Sequence, residues 1–326
     1  MSDIADLPAA PRSQAERVLE GGVDAHVHAG PFINDMMMVD VFDLARDAKA
    51  LGLGAVVVKN YFGSSCQAAA LANRYAGGAI VVGGITLNWS AGGFNADAVR
   101  VAAHEGYHDG FRPGRVVWMP ERSALNRARL LDLDPATHAK YLSPFPDGDP
   151  SRPMLKQARE VLDVIAEEDM VLATSHLGPG ESLAMFEVAR EAGVRRMVVT
   201  HASNPGVGWS LEEKRRAVEL GALLEEASIC WEPAMSVFHY TPTDAAGEIF
   251  DAMRVIGPEH YILASDSGFH VAPRPAEAMR VFAALLLGIG FSEQEVRTMA
   301  VDNPRRLLRL DEVDPRPPIG RDALGN

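Results

Sequence analysis

Short apolar runs rich in Val and Ile alternate along this chain with longer segments whose apolar residues recur at three- and four-residue spacing. The short runs predict strands and the longer segments predict helices, a pattern typical of repeated β/α units around a parallel sheet. Eight strands are predicted in total. They cover residues 23–28, 55–59, 79–86, 115–119, 170–175, 196–200, 222–226 and 261–265.

The predicted helices lie between these strands, and several of them end in glycine, the residue that most readily adopts the left-handed conformation closing many helices. Eight strands alternating with helices favour a closed TIM-type (β/α)8 barrel over an open sheet. We expect one such domain over residues 23–310, an N-terminal extension over residues 1–22 and a C-terminal tail over residues 311–326. The helical segments are 41–51, 66–75, 155–168, 182–192, 211–220 and 245–256, and the closing glycines are Gly52, Gly193, Gly221 and Gly257.

Composition narrows the class of protein without choosing a fold. Of 326 residues, 47% are hydrophobic and 23% are charged, as in a globular enzyme. The net charge of −13 and the lack of a long basic stretch disfavour nucleic acid as a partner. Neither a signal peptide nor a membrane span is predicted. Cys66 and Cys230 form no CxxC pair, so we expect no thiolate zinc site, and a reducing cytoplasm fits.

Ionisable side chains fall at the ends of five predicted strands. All such ends open on one face of a barrel, the face that carries the active site. In the first strand two imidazoles stand two residues apart, so both point toward the barrel axis if Val27 points outward. An isolated pair of this kind is more often coincidence or core filling, but two later strands also end in histidine. The residues are His26, His28, Lys59, His176, His201 and Asp266.

The set of side chains predicts a metal site. Imidazole and carboxylate ligands without thiolates suit Zn²⁺, with Mn²⁺ or Fe²⁺ as alternatives. Such an ion activates water at neutral pH and polarises a carbonyl group, so hydrolysis is the natural outcome. Asp266 can bind the metal and also accept a proton, although an isolated aspartate here could equally cap a turn.

This ordered set resembles the amidohydrolase superfamily, and the stretch from Asp302 to Leu308 looks like the asparagine-proline helix that often follows its last strand. The resemblance implies that His26, His28 and Asp266 hold one metal. His176 and His201 would hold a second, and Asp266 would pass a proton from the water to the leaving group. The segments around residues 59–61, 88–95 and 116–120 are similar to a little-studied subgroup of unassigned function.

One feature departs from the resemblance. Many two-metal members carry a carboxylated lysine after strand four, but here that strand runs to Pro120 and Glu121. Lys59, after strand two, is our predicted bridge in carboxylated form, because a free ammonium group beside divalent ions would be repelled. The alternatives are a substrate-binding lysine in a one-metal site, a solvated loop lysine, or Glu121 as the bridge.

Substrate-binding residues must come from strand ends and the loops that follow them. The predicted set contains tryptophans that could equally be packing residues. Three arginines could pair with a substrate carboxylate, although surface roles explain them as well. The connection over residues 121–152 is a predicted lid. The predicted substrate residues are Asn88, Trp118, Trp209, His239 and His270, and the three arginines are Arg112, Arg115 and Arg122.

The sequence therefore predicts a metal-dependent hydrolase that cleaves an amide or cyclic amide of a small molecule. A lactone or another ester is the next alternative, followed by metal-dependent decarboxylation on the same barrel. Phosphoester hydrolysis on a related barrel ranks third among the enzyme classes. The alternative to an enzyme is a barrel without catalytic activity that serves as a binding or assembly protein. We expect a small-molecule substrate, no nucleic acid, no membrane, and a cytoplasmic homo-oligomer.

Overall fold

The computed structural model describes residues 12–32, 36–108, 110–232 and 246–312. Eight parallel strands form one sheet in which each strand pairs with the next one along the chain. The predicted (β/α)8 barrel is therefore confirmed, and every predicted strand lies where its apolar run was found. The strands are β1 (Val23–Val27), β2 (Ala55–Val58), β3 (Ile80–Thr86), β4 (Gly114–Trp118), β5 (Val171–Ala173), β6 (Met197–Val199), β7 (Ala222–Ala227) and β8 (Tyr261–Ala264).

Helices connect the strands and cover the outside of the sheet. The predicted helices are confirmed to within a few residues, and the four glycines expected to close them all have positive φ. The helices are α1 (Gln14–Val18), α2 (Val41–Leu51), α3 (Cys66–Tyr75), α4 (Ala96–His104), α5 (Leu125–Leu130), α6 (Lys156–Glu167), α7 (Pro179–Glu191), α8 (Leu211–Glu219), α9 (Ala246–Ile256), α10 (Pro275–Gly288), α11 (Glu293–Arg297) and α12 (Asn303–Leu308). In the N-terminal extension, α1 packs against α10.

Alternate residues of the strands belong to different apolar layers. Val56 and Val117 belong to the layer between the sheet and the helices, whereas Val57 and Trp118 belong to a second layer inside the barrel. Val27 lies in the outer layer, as the predicted orientation of the two neighbouring imidazoles requires. In β2 and β8 this alternation places Lys59 and Asp266 in the inner rows, which end at the mouth of the barrel.

The seam between β8 and β1 closes the barrel through a mixture of backbone and side-chain hydrogen bonds. The backbone N–H of Asp266 donates to the carbonyl of His26 at 2.8 Å, and that of His28 donates to Ser267 at 2.8 Å. Below them, Asp24 accepts from the backbone N–H of Ser265 at 2.8 Å and from its hydroxyl at 2.6 Å. The seam thus runs directly into the predicted metal ligands.

Within the described ranges, no helix has both the length and the apolar character needed to cross a membrane.

Candidate metal centre

Three of the predicted ligands converge at the carboxyl ends of β1 and β8. One ligand atom from each of His26, His28 and Asp266 lies within 4.8 Å of the other two. Asp266 Oδ1 is 3.3 Å from His26 Nε2 and 3.0 Å from His28 Nε2. All three residues are buried. Two imidazoles and a carboxylate in this arrangement are a ligand set suited to a divalent ion such as Zn²⁺.

The Nδ1 atoms of His26 and His28 both form hydrogen bonds within the protein. His28 Nδ1 lies 2.9 Å from the carbonyl oxygen of Lys59, which can only accept, so this nitrogen is the donor. His26 Nδ1 donates to Glu225 Oε1 at 2.8 Å. Both rings therefore turn Nε2 toward Asp266, and the buried Nε2 of His26 has no hydrogen-bond partner among the described residues. A metal ion fits this unpaired nitrogen, since metal-bound histidines typically hydrogen-bond through the other ring nitrogen.

The histidines after β5 and β6 lie beside this group. The rings of His176 and His201 meet edge to face with centroids 4.8 Å apart, and His201 stacks on His26 at 5.9 Å. Both residues are buried, and the Nδ1 atom of each lacks a hydrogen-bond partner within the described part of the chain. The structure thus brings the four predicted histidines into one continuous cluster.

The protonation states in this cluster are those that bind metals. Burial lowers the pKa of His26 to about 3 and the pKa values of His28 and His201 to about 4. Burial likewise lowers the pKa of His176 well below its usual value. Burial by itself would raise the pKa of Asp266, but the surrounding histidines hold it below the usual value. At neutral pH the imidazoles are neutral and the carboxylate is ionised.

Two further ionisable groups face the cluster from β2 and β4. Lys59 is only 1% exposed, and burial lowers the pKa of its amine, against the effect of the nearby carboxylates. Glu121 Oε1 is 3.8 Å from His176 Nε2, and the buried Glu121 Oε2 accepts no hydrogen bond from the residues that the structure describes. Lys59 and Glu121, the two residues considered as bridging ligands, therefore lie at the carboxyl end of the barrel, which we call the metal-site end.

The backbone at the strand ends adopts an unusual conformation. Ser175, His201 and Asp266 all have left-handed φ values, of 52°, 34° and 49°, which are uncommon for residues other than glycine. Such strained positions cluster at functional sites. Gly268 has a φ of 124°, and a Cβ atom there would lie 1.8 Å from the carbonyl oxygen of His28. The chain after β8 therefore requires glycine to pass this close to a ligand.

Glu225 belongs to this cluster and was not predicted from the sequence. It lies within β7, is 2% exposed, and accepts hydrogen bonds from His26 Nδ1 and, at 3.1 Å, from the backbone N–H of His201. Burial raises its pKa to about 7. Two adjacent carboxylates, Glu225 and Glu226, in a predicted strand were the available signal, because a carboxylate inside a barrel requires a partner.

The predicted substrate residues occupy different environments. Asn88 is 3% exposed, and its amide holds the loops after β2 and β4 together. Its Nδ2 donates to the carbonyl of Tyr61 at 2.8 Å, and its Oδ1 accepts from the backbone N–H groups of Glu121 and Ser123, each at 3.0 Å. Asn88 therefore positions Glu121, and its role in substrate binding stays a prediction.

The two predicted tryptophans are buried. Trp118 is 1% exposed and lies inside the barrel, with its ring 6.2 Å from that of His26. Trp209 is 8% exposed and lines a cavity between the β6–α8 connection and α9. His270 is exposed after β8, with its backbone N–H bonded to Met36, and His239 lies outside the described residues. Their substrate contacts stay predictions.

The arginines separate into two groups. Arg112 is buried against Glu168, which precedes β5, and Arg115 donates to the carbonyls of Leu308 and Arg309. These contacts belong to the amino end of the barrel, where His104 also bonds to Glu168. Only Arg122 of the three predicted arginines reaches the metal-site end.

Comparison with known proteins identifies a family and several solved structures of similar fold. Residues 21–225 match the model described as "Family of unknown function (DUF6282)". The chain belongs to this family. No curated protein matches the sequence. The matched DUF6282 region spans β1 to β7, so it contains His26, His28, Lys59, His176 and His201, whereas Asp266 lies beyond it.

Solved structures similar in fold to this DUF6282 protein include two described as amidohydrolases and one described as a PTE-like lactonase. A PTE-like lactonase mutant from Deinococcus radiodurans is 13% identical, with a TM-score of 0.58 over 91% of this chain and 98% of that one. An amidohydrolase from Pseudomonas aeruginosa is 13% identical, with a TM-score of 0.53 over 91% and 98%. An amidohydrolase from Burkholderia multivorans with bound zinc is 13% identical, with a TM-score of 0.55 over 88% and 99%. The predicted resemblance is confirmed at the level of the fold.

Proposed function

We propose that this protein is a metal-dependent hydrolase that cleaves an amide or cyclic amide bond of a small molecule. The observation that carries this proposal is the convergence of His26, His28 and Asp266 within 4.8 Å, in neutral and ionised forms suited to a metal. His201, which stacks on His26, and His176, which meets His201 edge to face, extend the ligand set on one side. Zn²⁺ is the proposed ion, with Mn²⁺ or Fe²⁺ as alternatives.

One or two ions are proposed. His26, His28 and Asp266 would hold the first, and His176 and His201 would hold a second. A metal ion bound here supplies Lewis acidity, which polarises a substrate carbonyl and makes water acidic enough to act as a nucleophile at neutral pH.

The protein's own groups complete the proposed chemistry. Asp266 is ionised, so its carboxylate accepts the proton of the attacking water and then donates it to the leaving group. Glu225 holds the His26 ring so that Nε2 faces Asp266. Trp118 forms an apolar wall beneath His26, which limits water on that side of the site.

The proposed bridge is Lys59 carboxylated by CO₂. The lowered pKa of its buried amine supports this proposal, because only the neutral amine reacts with CO₂. Glu121 is the competing bridge, supported by its unpaired Oε2 and its 3.8 Å approach to His176. Zinc-loaded protein prepared in ¹³C-bicarbonate should give a carbamate NMR signal that Lys59→Met removes. An absent signal, with loss of the second ion in Glu121→Gln, would assign the bridge to Glu121.

The hydrolase proposal is tested in two steps. Zinc-loaded protein, after removal of free metal, should retain about one or two equivalents by elemental analysis. It is then assayed against matched amides, cyclic amides and lactones. Asp266→Asn should abolish turnover while leaving the fold intact, and Asp163→Asn on the exposed face of α6 is the control. Failure to retain zinc, or full activity in Asp266→Asn, contradicts the proposal.

Lactones are included because one structurally similar protein is described as a PTE-like lactonase. Decarboxylation on the same barrel is distinguished by its product, since it releases CO₂ without a new amine or alcohol. The expected homo-oligomeric state stays a prediction that sedimentation of the full chain would check.

A further inference from the structure

Two arginines flank Glu121 at the mouth of the metal centre. Arg122 Nε is 3.7 Å from Glu121 Oε2, and Arg127 Nε is 3.9 Å from Glu121 Oε1. These separations are ion-pair contacts too long for hydrogen bonds. Within the described residues, neither guanidinium donates a hydrogen bond, and the buried Nε of Arg122 has no acceptor. Guanidinium N–H groups form strong hydrogen bonds with anions. Those of Arg122 and Arg127 are therefore available to a ligand.

Both side chains are held beside the predicted metal ligands. The Arg122 guanidinium lies 4.6 Å from the centre of the Tyr61 ring, and the Tyr61 ring is 4.6 Å from that of His28. Arg127 lies on α5, where its neighbour Asn126 donates to the carbonyl of His176 at 3.3 Å. The stacking contact and the helix reduce the entropy that each arginine loses when it binds an anion.

The charge balance at this mouth differs from that of the whole chain. The protein carries a net charge of −13, yet two arginines, Arg122 and Arg127, contact the same carboxylate at this opening. Among the described residues, Glu121 is the carboxylate nearest the two arginines, and it also faces His176. Metal ions bound to the cluster would leave the opening with an excess of positive charge. An anionic substrate group is the chemistry that this arrangement favours.

We propose that Arg122 and Arg127 bind a carboxylate of the substrate, and that the enzyme therefore acts on small amides or lactones bearing a carboxylate. This inference rests on the proposed function and adds a substrate class to it. The planar guanidinium groups match a carboxylate through paired N–H donors. The reacting carbonyl would lie at the histidine cluster, and the carboxylate would lie across Glu121 from it.

The inference is tested by binding of short diacids, which resemble hydrolysis products. Zinc-loaded protein is titrated calorimetrically with malonate, succinate, glutarate and adipate, and with the monomethyl ester of each. One carboxylate can bind the metal, so the second one reports on the arginines. The best diacid should bind about tenfold more tightly than its half ester, equivalent to roughly 1.4 kcal/mol. Arg122→Gln combined with Arg127→Gln should remove this preference.

The matched control is Arg159→Gln, on the exposed face of α6, where Arg159 pairs with Asp163 at 3.1 Å. It should keep the wild-type preference for the diacid. An equal affinity of the wild type for diacid and half ester, or an undiminished preference in the double variant, would overturn the inference. Tighter binding of 4-phosphonobutyrate than of glutarate, lost in the double variant, would also overturn the assignment to a carboxylate.

Metal-free protein is titrated in parallel so that the two proposals fail separately. Loss of zinc from wild-type protein, with binding of the half ester that the double variant loses, contradicts the hydrolase and leaves a carboxylate-binding site. Retention of zinc without that preference contradicts the role of the arginines and leaves the hydrolase proposal standing.

Discussion

Replacing Glu225 tests how far the proposed metal centre depends on a residue outside the proposed ligand set. The carboxylate accepts from His26 Nδ1 at 2.8 Å and from the backbone N–H of His201 at 3.1 Å. In Glu225→Gln the side-chain oxygen can still accept, so the ring orientation is kept and mainly the negative charge is lost. Partners of this kind typically contribute ten- to hundredfold in metal affinity. We expect zinc affinity to fall by about tenfold, or roughly 1.4 kcal/mol.

Glu225→Ala should weaken zinc binding further, toward about a hundredfold, because His26 then loses its orienting acceptor as well. The affinities are measured by competition with a chromophoric chelator, after circular dichroism has confirmed the fold. Glu226→Gln is the matched control, since this adjacent residue is equally buried but bonds to Ser203. Wild-type zinc affinity in Glu225→Gln, or an equal loss in both variants, would refute the reasoning.

Three more outcomes are expected. Gly268→Ala should lower the free energy of unfolding by about 2–4 kcal/mol, since its Cβ would meet the carbonyl of His28. Gly208→Ala, which also has positive φ but open space around it, should lose less in the same denaturant titration. Asn88→Ala leaves three buried backbone groups without partners and should cost about 3 kcal/mol, with Asn88→Asp intermediate. Burial raises the pKa of Glu226 to about 7. The contribution of Glu226 to the free energy of unfolding is therefore most favourable below its ordinary pKa and is lost as pH rises through 7. Thermal unfolding of Glu226→Gln should therefore show a gain over wild type at pH 8 that disappears at pH 5.

The sequence was sufficient to predict the barrel and the convergence of its strand ends. Apolar runs located all eight strands, and the spacing of His26 and His28 predicted that both would point inward. These features depend on local periodicity and on a general property of parallel barrels. They require no knowledge of which side chains touch.

Other parts of the site depend on contacts between distant segments. Glu225 looked like an ordinary strand residue until β7 placed it against His26, 199 positions away in the chain. Asn88 was predicted to bind substrate from its position alone, but its hydrogen bonds connect two backbone loops. Arg127 lay in the predicted lid and gained significance only through its approach to Glu121. Periodicity gives no distance between such groups.

The proposed metal ligands can be close together only while the barrel is closed at the seam between β8 and β1. His26 and His28 lie on one side of this seam and Asp266 on the other, and backbone hydrogen bonds from Asp266 and His28 cross it. An ion bound by all three residues would cross-link β1 to β8. Transient opening of the barrel at this point must therefore release the ion. In hydrogen-exchange measurements, metal binding should slow exchange most at the backbone amides of His28 and Asp266.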